Sequence, residues 1–312
     1  MRRFCVIVCT RNRCKQLSEA LRSFETCRVP DGWEADLIIV DNGSTDATSA
    51  VASEMPRRGQ FAVRVIAEMR PGLSCARNAG LRATDAELVA FTDDDCKADP
   101  DWVSRLIETF DNHPSVSALF GRVQPPEGAK ASHMVAVKTE ESAHEYRYPA
   151  MPGRLGHGNN MAFRRQALAQ VGAFDEALGA GAPLAAAEDL DMAYRILRRG
   201  GVIRYEPSCR IVHAPRESKA QVNATHWRNA VGMGACYGKH ALRGDAFAWK
   251  CLFWLLIDIP VSSMREWRSG RSADLYTKWL YFWGLPIGIF KRAAYDLFHP
   301  SRLAAQGSTC RS

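Results

Sequence analysis

The sequence carries no CxxC pair and no group of cysteines and histidines at zinc-binding spacing, although it contains ten cysteines: Cys5, Cys9, Cys14, Cys27, Cys75, Cys96, Cys209, Cys236, Cys251 and Cys310. Scattered in this way they argue against a zinc module or a disulfide-stapled miniprotein, and they read as reduced thiols in a cytosolic compartment. A secretory h-region is also missing. Met1-Arg2-Arg3 leads straight into a six-residue apolar run, so a cytoplasmic location is expected. No internal repeat or low-complexity tract is evident, which sets aside solenoids and linkers. No apolar stretch cleanly reaches the ~20 residues that a membrane-spanning helix needs.

What is present is an ordinary globular composition. The 312 residues, 46% hydrophobic and 24% charged, suffice for one large domain or two small ones and lie far from the composition of disordered chains. The net charge of +7 is unevenly placed. Residues 1–213 hold 27 basic and 28 acidic side chains, whereas residues 214–312 hold 14 and 6, so the whole excess is C-terminal. There, residues 246–263 and 279–290 are apolar and Trp-rich, flanked or interrupted by Lys250, Arg265, Arg268, Arg271, Lys278, Lys291 and Arg292. Lys250, Asp258 and Pro260 break the first run, and Gly284, Pro286 and Gly288 the second. Such segments are expected to lie in a membrane interface, Trp and Tyr at the headgroup level and basic residues toward anionic lipid. The alternative is that they cover the domain or pair with a second subunit. A nucleic-acid partner is not expected, because the basic residues are threaded with aliphatic runs instead of forming a solvated stripe.

Toward the N-terminus, apolar strands and amphipathic helices alternate four times. Strands are expected at Phe4–Cys9, Leu37–Val40, Ala62–Ala67 and Ala86–Phe91, and helices around Leu17–Phe24, from Thr45 or Asp46 to about Met55, and over Leu73–Ala83. This is the pattern of an α/β domain with a mostly parallel sheet covered on both faces, whose ligands bind at the carboxyl ends of the strands. The polar clusters at Thr10, Asp41 and Asp93 fall at those ends. Further on, a helix is expected near Pro100–Asn112 and a strand near Val116–Val123. Residues 124–157 are loop-rich. A Gly/Asn turn then enters a short strand and a helix to about Val171, a small-residue loop covers Gly179–Ala187, and a helix opens at Glu188. Strands at Val202–Tyr205 and Arg210–Val212 close on His213.

Asp93-Asp94-Asp95 at a strand end is costly unless a cation or hydrogen-bond donors offset the repulsion. While the chain stays extended, Asp93 and Asp95 face one side and can straddle a divalent metal, Mn2+ or Mg2+. A solvated acidic loop is the plainer alternative. The triplet has company in Cys9-Thr10-Arg11-Asn12-Arg13, Val40-Asp41-Asn42-Gly43-Ser44-Thr45-Asp46 and Pro71–Gly80. Gly158-Asn159-Asn160-Met161-Ala162-Phe163-Arg164-Arg165 and Glu188-Asp189-Leu190-Asp191 follow in order. Together these motifs resemble the family 2 glycosyltransferases of the GT-A fold, over roughly residues 4 to 215.

The resemblance implies a Rossmann-like GT-A catalytic domain over residues 1–215, and the basic, Trp-rich composition of 216–312 leads to the expectation of a helical, membrane-associating region there. It implies that Thr10, Arg11 and Asn12 line the nucleotide and that Asp41 binds the base, where a uracil or guanine edge offers N–H donors. Arg77 lies near the diphosphate, and Asp93 and Asp94 belong to the nucleotide-sugar site, Asp94 itself pointing elsewhere. Asp95 and Asp93 ligate the metal, with His213 completing the site. Asp189 is the base, and Glu188, Asp191, Asn160 and His157 are candidates for acceptor contact or site lining. The QxxRW motif of processive synthases is absent, the nearest relic being Gln221 with Trp227-Arg228 at the wrong spacing. The reading is an inverting transferase that moves one sugar from a nucleoside diphosphate donor, a UDP-sugar favoured, to a saccharide or lipid-linked acceptor on the cytoplasmic face of a membrane. Two rivals are a catalytically inactive scaffolding relative and a sugar nucleotidyltransferase. The latter would want a Gly-rich phosphate loop where Thr10-Arg11-Asn12-Arg13 supplies no glycine.

Overall fold

Fully apolar strands must be covered on both faces, and the alternating helices supply that cover. The computed structural model describes residues 1–54, 59–215, 218–268 and 275–300. Met55, Arg271 and Cys310 lie outside the described residues. The chain folds as β1 (Arg2–Thr10), α1 (Cys14–Phe24), β2 (Trp33–Asp41), α2 (Thr48–Ser53), β3 (Phe61–Ala67), α3 (Leu73–Arg82), β4 (Leu88–Asp93), β5 (Cys96–Ala98), α4 (Trp102–Asn112) and β6 (Val116–Gln124). It continues through β7 (His144–Tyr146), β8 (Asn160–Arg164), α5 (Arg165–Val171), α6 (Glu188–Arg198), β9 (Val202–His213), α7 (Lys219–Ala241), α8 (Ala246–Arg268) and α9 (Leu275–Phe298).

The nine strands form one sheet in the order β3-β2-β1-β4-β8-β6-β9-β5, with β7 added on β9. The N-terminal half is parallel, β1 pairing with β2 and β4, and β2 with β3. The C-terminal half is mixed: β8 runs antiparallel to β4 and β6, while β6 and β9 are parallel. Alternate residues of β1 go to opposite cores, as the period of two requires. Phe4, Val6 and Val8 pack with Leu17, Leu21 and Phe24 of α1 and Trp102 and Leu106 of α4. Cys5 and Ile7 pack with Ala76 of α3 and Met192 and Ile196 of α6.

Several local features depart from the sequence expectation. The last two strands are one strand, β9, whose pairing with β6 shifts register between Gly121 and Arg122. The short β5 and the long α7 were not anticipated. The two Trp-rich runs are continuous helices, α8 and α9, that carry Pro260 and Pro286 inside them. Within α8, Ala246–Met264 is long and apolar enough to cross a membrane, despite Lys250, Asp258 and Pro260.

The C-terminal helices pack on the α/β part. Leu178, Leu184, Leu190 and Tyr194 form a third apolar cluster with Ala235, Cys236 and Tyr237 of α7 and Phe247, Cys251 and Leu252 of α8. Helices α7 and α9 run parallel and nearly in backbone contact. A Cβ on Gly234 would stand 2.1 Å from the Leu285 carbonyl oxygen, and one on Gly288 2.1 Å from that of Val231.

Candidate active site

Parallel register brings the polar clusters to one rim. Thr10 pairs with Asp41, and Cys9 with Asp93, so β1, β2 and β4 end level with one another. At this rim a cleft of about 810 Å³ opens between the sheet, the loop before α6 and one face of α7. Of the residues expected to hold the nucleotide, Asn12, Arg77 and Asp93 line it, while Thr10, Arg11, Asp41 and Asp94 do not. Asn12 adopts a positive φ of 53° and accepts the Thr45 N–H at 2.7 Å, which ties the β1 loop to the β2 loop. Asp41 accepts the Ser44 N–H at 2.9 Å and the Ser49 hydroxyl. Burial pushes its carboxyl up, but these serine hydrogen bonds prevail and hold it below its ordinary range.

The acidic triplet is a turn between β4 and β5 rather than an extended run, and the turn aims its members apart. Asp93 and Asp95 line the cleft. Asp94 turns inward, accepting the Thr10 hydroxyl at 2.7 Å and Arg13 Nη1 at 3.2 Å. Burial pushes its carboxyl up to about 7, with Arg13 opposing. Asp95 Oδ2 accepts Arg13 Nη1 at 2.6 Å, and its Oδ1 lies 3.4 Å from His213 Nε2. The β5–β9 register causes this approach, because it sets Cys96 opposite His213. His213 Nδ1 donates to the Val135 carbonyl at 3.0 Å, so in the neutral ring the Nε2 lone pair faces the carboxylate. An Asp95 oxygen and a His213 nitrogen lie within 4.8 Å of each other and of Cys96 Sγ, a cluster that does not include Asp93, and the oxygen and imidazole donors of this pair suit a divalent cation of the Mn2+ or Mg2+ class.

On the opposite side, α3 and α6 meet. Arg77 is buried and donates to Glu188 Oε1 at 2.6 Å and to the Gly158 carbonyl at 3.0 Å, with Asp93 Oδ1 3.5 Å away. Burial pushes the Glu188 carboxyl up to about 7, with Arg77 opposing. Asp189 is held by two backbone donors: its Oδ2 accepts the Gly158 N–H at 2.7 Å and its Oδ1 the Leu190 N–H at 2.7 Å. The approach requires a glycine, since a Cβ on Gly158 would stand 2.9 Å from Asp189 Oδ2. The loop before α6 carries Ala185 and Ala187 at φ of 70° and 74°, so two non-glycine residues hold left-handed backbone beside the cleft.

Two of the expected acceptor-side residues also lie elsewhere. Asp191 does not line the cleft. It is fully buried against α7, where it accepts Lys239 Nζ at 2.9 Å and His240 Nε2 at 2.9 Å, and it accepts Arg195 Nε at 2.8 Å within α6. Asn160 is a structural clamp that accepts the Trp102 indole N–H at 2.9 Å and donates to the Arg122 and Cys209 carbonyls. Its neighbour Asn159 lines the cleft instead. His157 also lines it, with Nε2 3.3 Å from the Val137 carbonyl, and burial holds its pKa below the ordinary value. Sequence reading missed the wall formed by Gln221, Thr225, Arg228 and Asn229 of α7. Their spacing of four, three and one was the available signal, one polar face of a helix.

Residues 5–172 match the family model described as glycosyl transferase family 2. The chain is 26% identical over 224 residues to a glucosyl-dolichyl phosphate glucuronosyltransferase of Haloferax volcanii, covering 67% of this chain and 68% of that protein. It is 26% identical over 216 residues to the succinoglycan biosynthesis protein ExoM of Rhizobium meliloti, covering 69% and 68%. In fold it is similar to the mannosyltransferase PcManGT from Pyrobaculum calidifontis, solved in complex with GDP-Man and Mn2+. That likeness has a TM-score of 0.61 at 22% identity and covers 95% of this chain and 88% of that one.

Proposed function

The chain belongs to glycosyltransferase family 2, and from that premise we propose that it moves one sugar, with inversion, from a nucleoside diphosphate sugar to a hydroxyl of a saccharide or lipid-linked acceptor. The observation that carries this reading is the convergence on one cleft of the Asp95–His213 pair, the buried Arg77 and the doubly anchored Asp189. Asp93, Asp95 and His213 are the residues that would hold a divalent cation, which would supply charge stabilisation to the departing diphosphate. Asp189 acts as the general base. Its two backbone hydrogen bonds fix the carboxylate, and it takes the proton of the attacking acceptor hydroxyl. A single base and attack from the face opposite the leaving group give inversion. Arg77 sets the position of Glu188 and of the Gly158 carbonyl that frames the base.

On the donor side, Asp41 at the end of β2 offers a carboxylate to base N–H groups, which fits uracil and guanine, with a UDP-sugar favoured. Residues 1–215 form the catalytic part, and residues 216–312 seat it on the cytoplasmic face of a membrane. The exposed Trp249, Trp254, Trp279 and Trp283 of α8 and α9 support that seat.

Calorimetry of the purified protein with a panel of nucleoside diphosphates, with and without Mn2+, tests the donor site. Metal-dependent binding of one nucleotide, abolished by Asp95→Ala, is the expected result. A well-folded protein that binds none of them overturns the transferase reading in favour of an inactive scaffold.

A further inference from the structure

We infer that the polar face of α7 is the acceptor wall of the cleft and that Arg228 is its anion receptor, taking the phosphate of a lipid-linked acceptor. This rests on the glycosyl-transfer reading above. Three arginines line the cleft. Arg13 is neutralised by Asp94 and Asp95, and Arg77 by Glu188. Arg228 is exposed, and among the described residues no carboxylate pairs with it; its one hydrogen bond goes from Nη2 to Thr225 Oγ1 at 3.1 Å. That bond steadies the side chain and leaves the remaining guanidinium donors open to the cleft. A planar, permanently charged fork of donors suits a phosphate.

Position decides which phosphate. The donor side of the cleft is built from the ends of β1 and β4, with Asn12, Asp93 and Asp95. Arg228 stands on the C-terminal helical side, where Tyr281 of α9 joins the wall. Because α9 runs parallel to α7, with Tyr281 against His226 and Gly284 against Ala230, the turn of α9 level with Arg228 carries Trp279 and Trp283, which stand about 200° from Tyr281 and are exposed on the face of α9 turned away from the cleft. A charged group in the cleft, one helix away from an aromatic outer face, matches an amphiphile whose anionic head enters the cleft while its apolar chain stays with the membrane that this outer face would meet.

The full-length protein in nonionic detergent is titrated calorimetrically with farnesyl phosphate, farnesol and inorganic phosphate, and in parallel with UDP and GDP plus Mn2+. Farnesyl phosphate is expected to bind at least about tenfold more tightly than farnesol or inorganic phosphate. Arg228→Ala lowers its affinity by about tenfold to a hundredfold, Arg228→Lys recovers part of the loss, and nucleotide affinity does not change. Three results overturn the inference: an unchanged farnesyl phosphate affinity in Arg228→Ala, inorganic phosphate binding as tightly as the lipid, or a loss confined to the nucleotide, which would move Arg228 to the donor's diphosphate. Failure of the wild-type protein to bind any nucleotide would count against the glycosyl-transfer reading, while the farnesyl phosphate arm would still report on Arg228.

Discussion

Glu188 and Asp189 are adjacent carboxylates with opposite dependencies. Glu188 neutralises a buried arginine, so Glu188→Gln leaves Arg77 short of its nearest charge and is expected to lower stability by about 3 kcal/mol, read from chemical denaturation. Asp189→Asn keeps an oxygen for the Gly158 N–H but removes the proton acceptor. It should fold and bind nucleotide as the wild type does while kcat falls by about a hundredfold to ten-thousandfold. Should Asp189→Asn retain full turnover, the base is another group. Gly158→Ala tests the frame of the base, since the new methyl collides with Asp189; kcat is expected to fall about tenfold to a hundredfold with nucleotide affinity unchanged. The acidic cluster was legible in the sequence, but the division of labour inside it was not. A helix turns about 100° per residue, so Asp191 stands roughly 200° from Asp189 and faces α7 instead of the cleft. At the turn into β8 Asn159 lines the cleft while Asn160 bonds within the sheet, a one-residue difference that the motif alone does not resolve.

The link between α6 and the C-terminal helices is an ionic one that no local sequence pattern announces. Lys239 Nζ of α7 lies 2.9 Å from both Asp191 and Asp175, and Arg292 Nη1 of α9 reaches Asp175 at 2.8 Å. Four charged residues far apart in sequence thus share one buried site, and helical periodicity says nothing about such a partnership. Helix α7 escaped notice for a related reason. Its inner face intersperses Val231, Cys236 and Tyr237 with glycine, alanine and the charged Lys239, which blurs the apolar periodicity. Burial pushes the carboxyls of Asp175 and Asp191 up, but Lys239 outweighs it, aided by Arg292 at Asp175 and Arg195 at Asp191, and both lie below the ordinary range. A carboxyl depressed on folding contributes stability that is complete above its unfolded pKa near ~4 and is lost as pH falls through the folded value. The melting temperature should therefore change little through this network above about pH 5 and decline below about pH 4. Lys239→Met, which leaves two buried carboxylates underpaired, is expected to lower stability by about 3–5 kcal/mol. A melting profile of Lys239→Met that matches the wild type at every pH would remove the network from the account of stability.

The parallel character of the N-terminal half of the sheet followed from apolar strands alternating with helices, whereas its strand order and the seat of the C-terminal helices depended on contacts that no local pattern encodes. Those contacts bear on how membrane binding is tested. Deleting residues 240–312 would strip the cover from Leu178, Leu184 and Tyr194, so lost sedimentation could reflect unfolding. Exposed residues are the better target. Trp249, Phe253, Ile257, Val261 and Met264 recur every three or four residues on α8, as do Tyr276, Trp279, Trp283, Ile287 and Phe290 on α9. Each stripe lies opposite residues that pack inward, among them Cys251 and Leu252 of α8 and Leu285 of α9. The combined substitution Trp254→Ser, Trp279→Ser and Trp283→Ser touches only half-exposed indoles and should leave the melting temperature within a few degrees of wild type. Its partition onto vesicles containing phosphatidylglycerol is expected to fall by more than about tenfold, since each indole removes apolar area from the interface. Wild-type binding should weaken as salt rises, because the C-terminal region carries 14 basic against 6 acidic side chains. If the triple variant sediments with vesicles as the wild type does, the bilayer is not what covers this face. A concentration-dependent mass in light scattering, lost in the same variant, would then assign the face to a second copy of the chain.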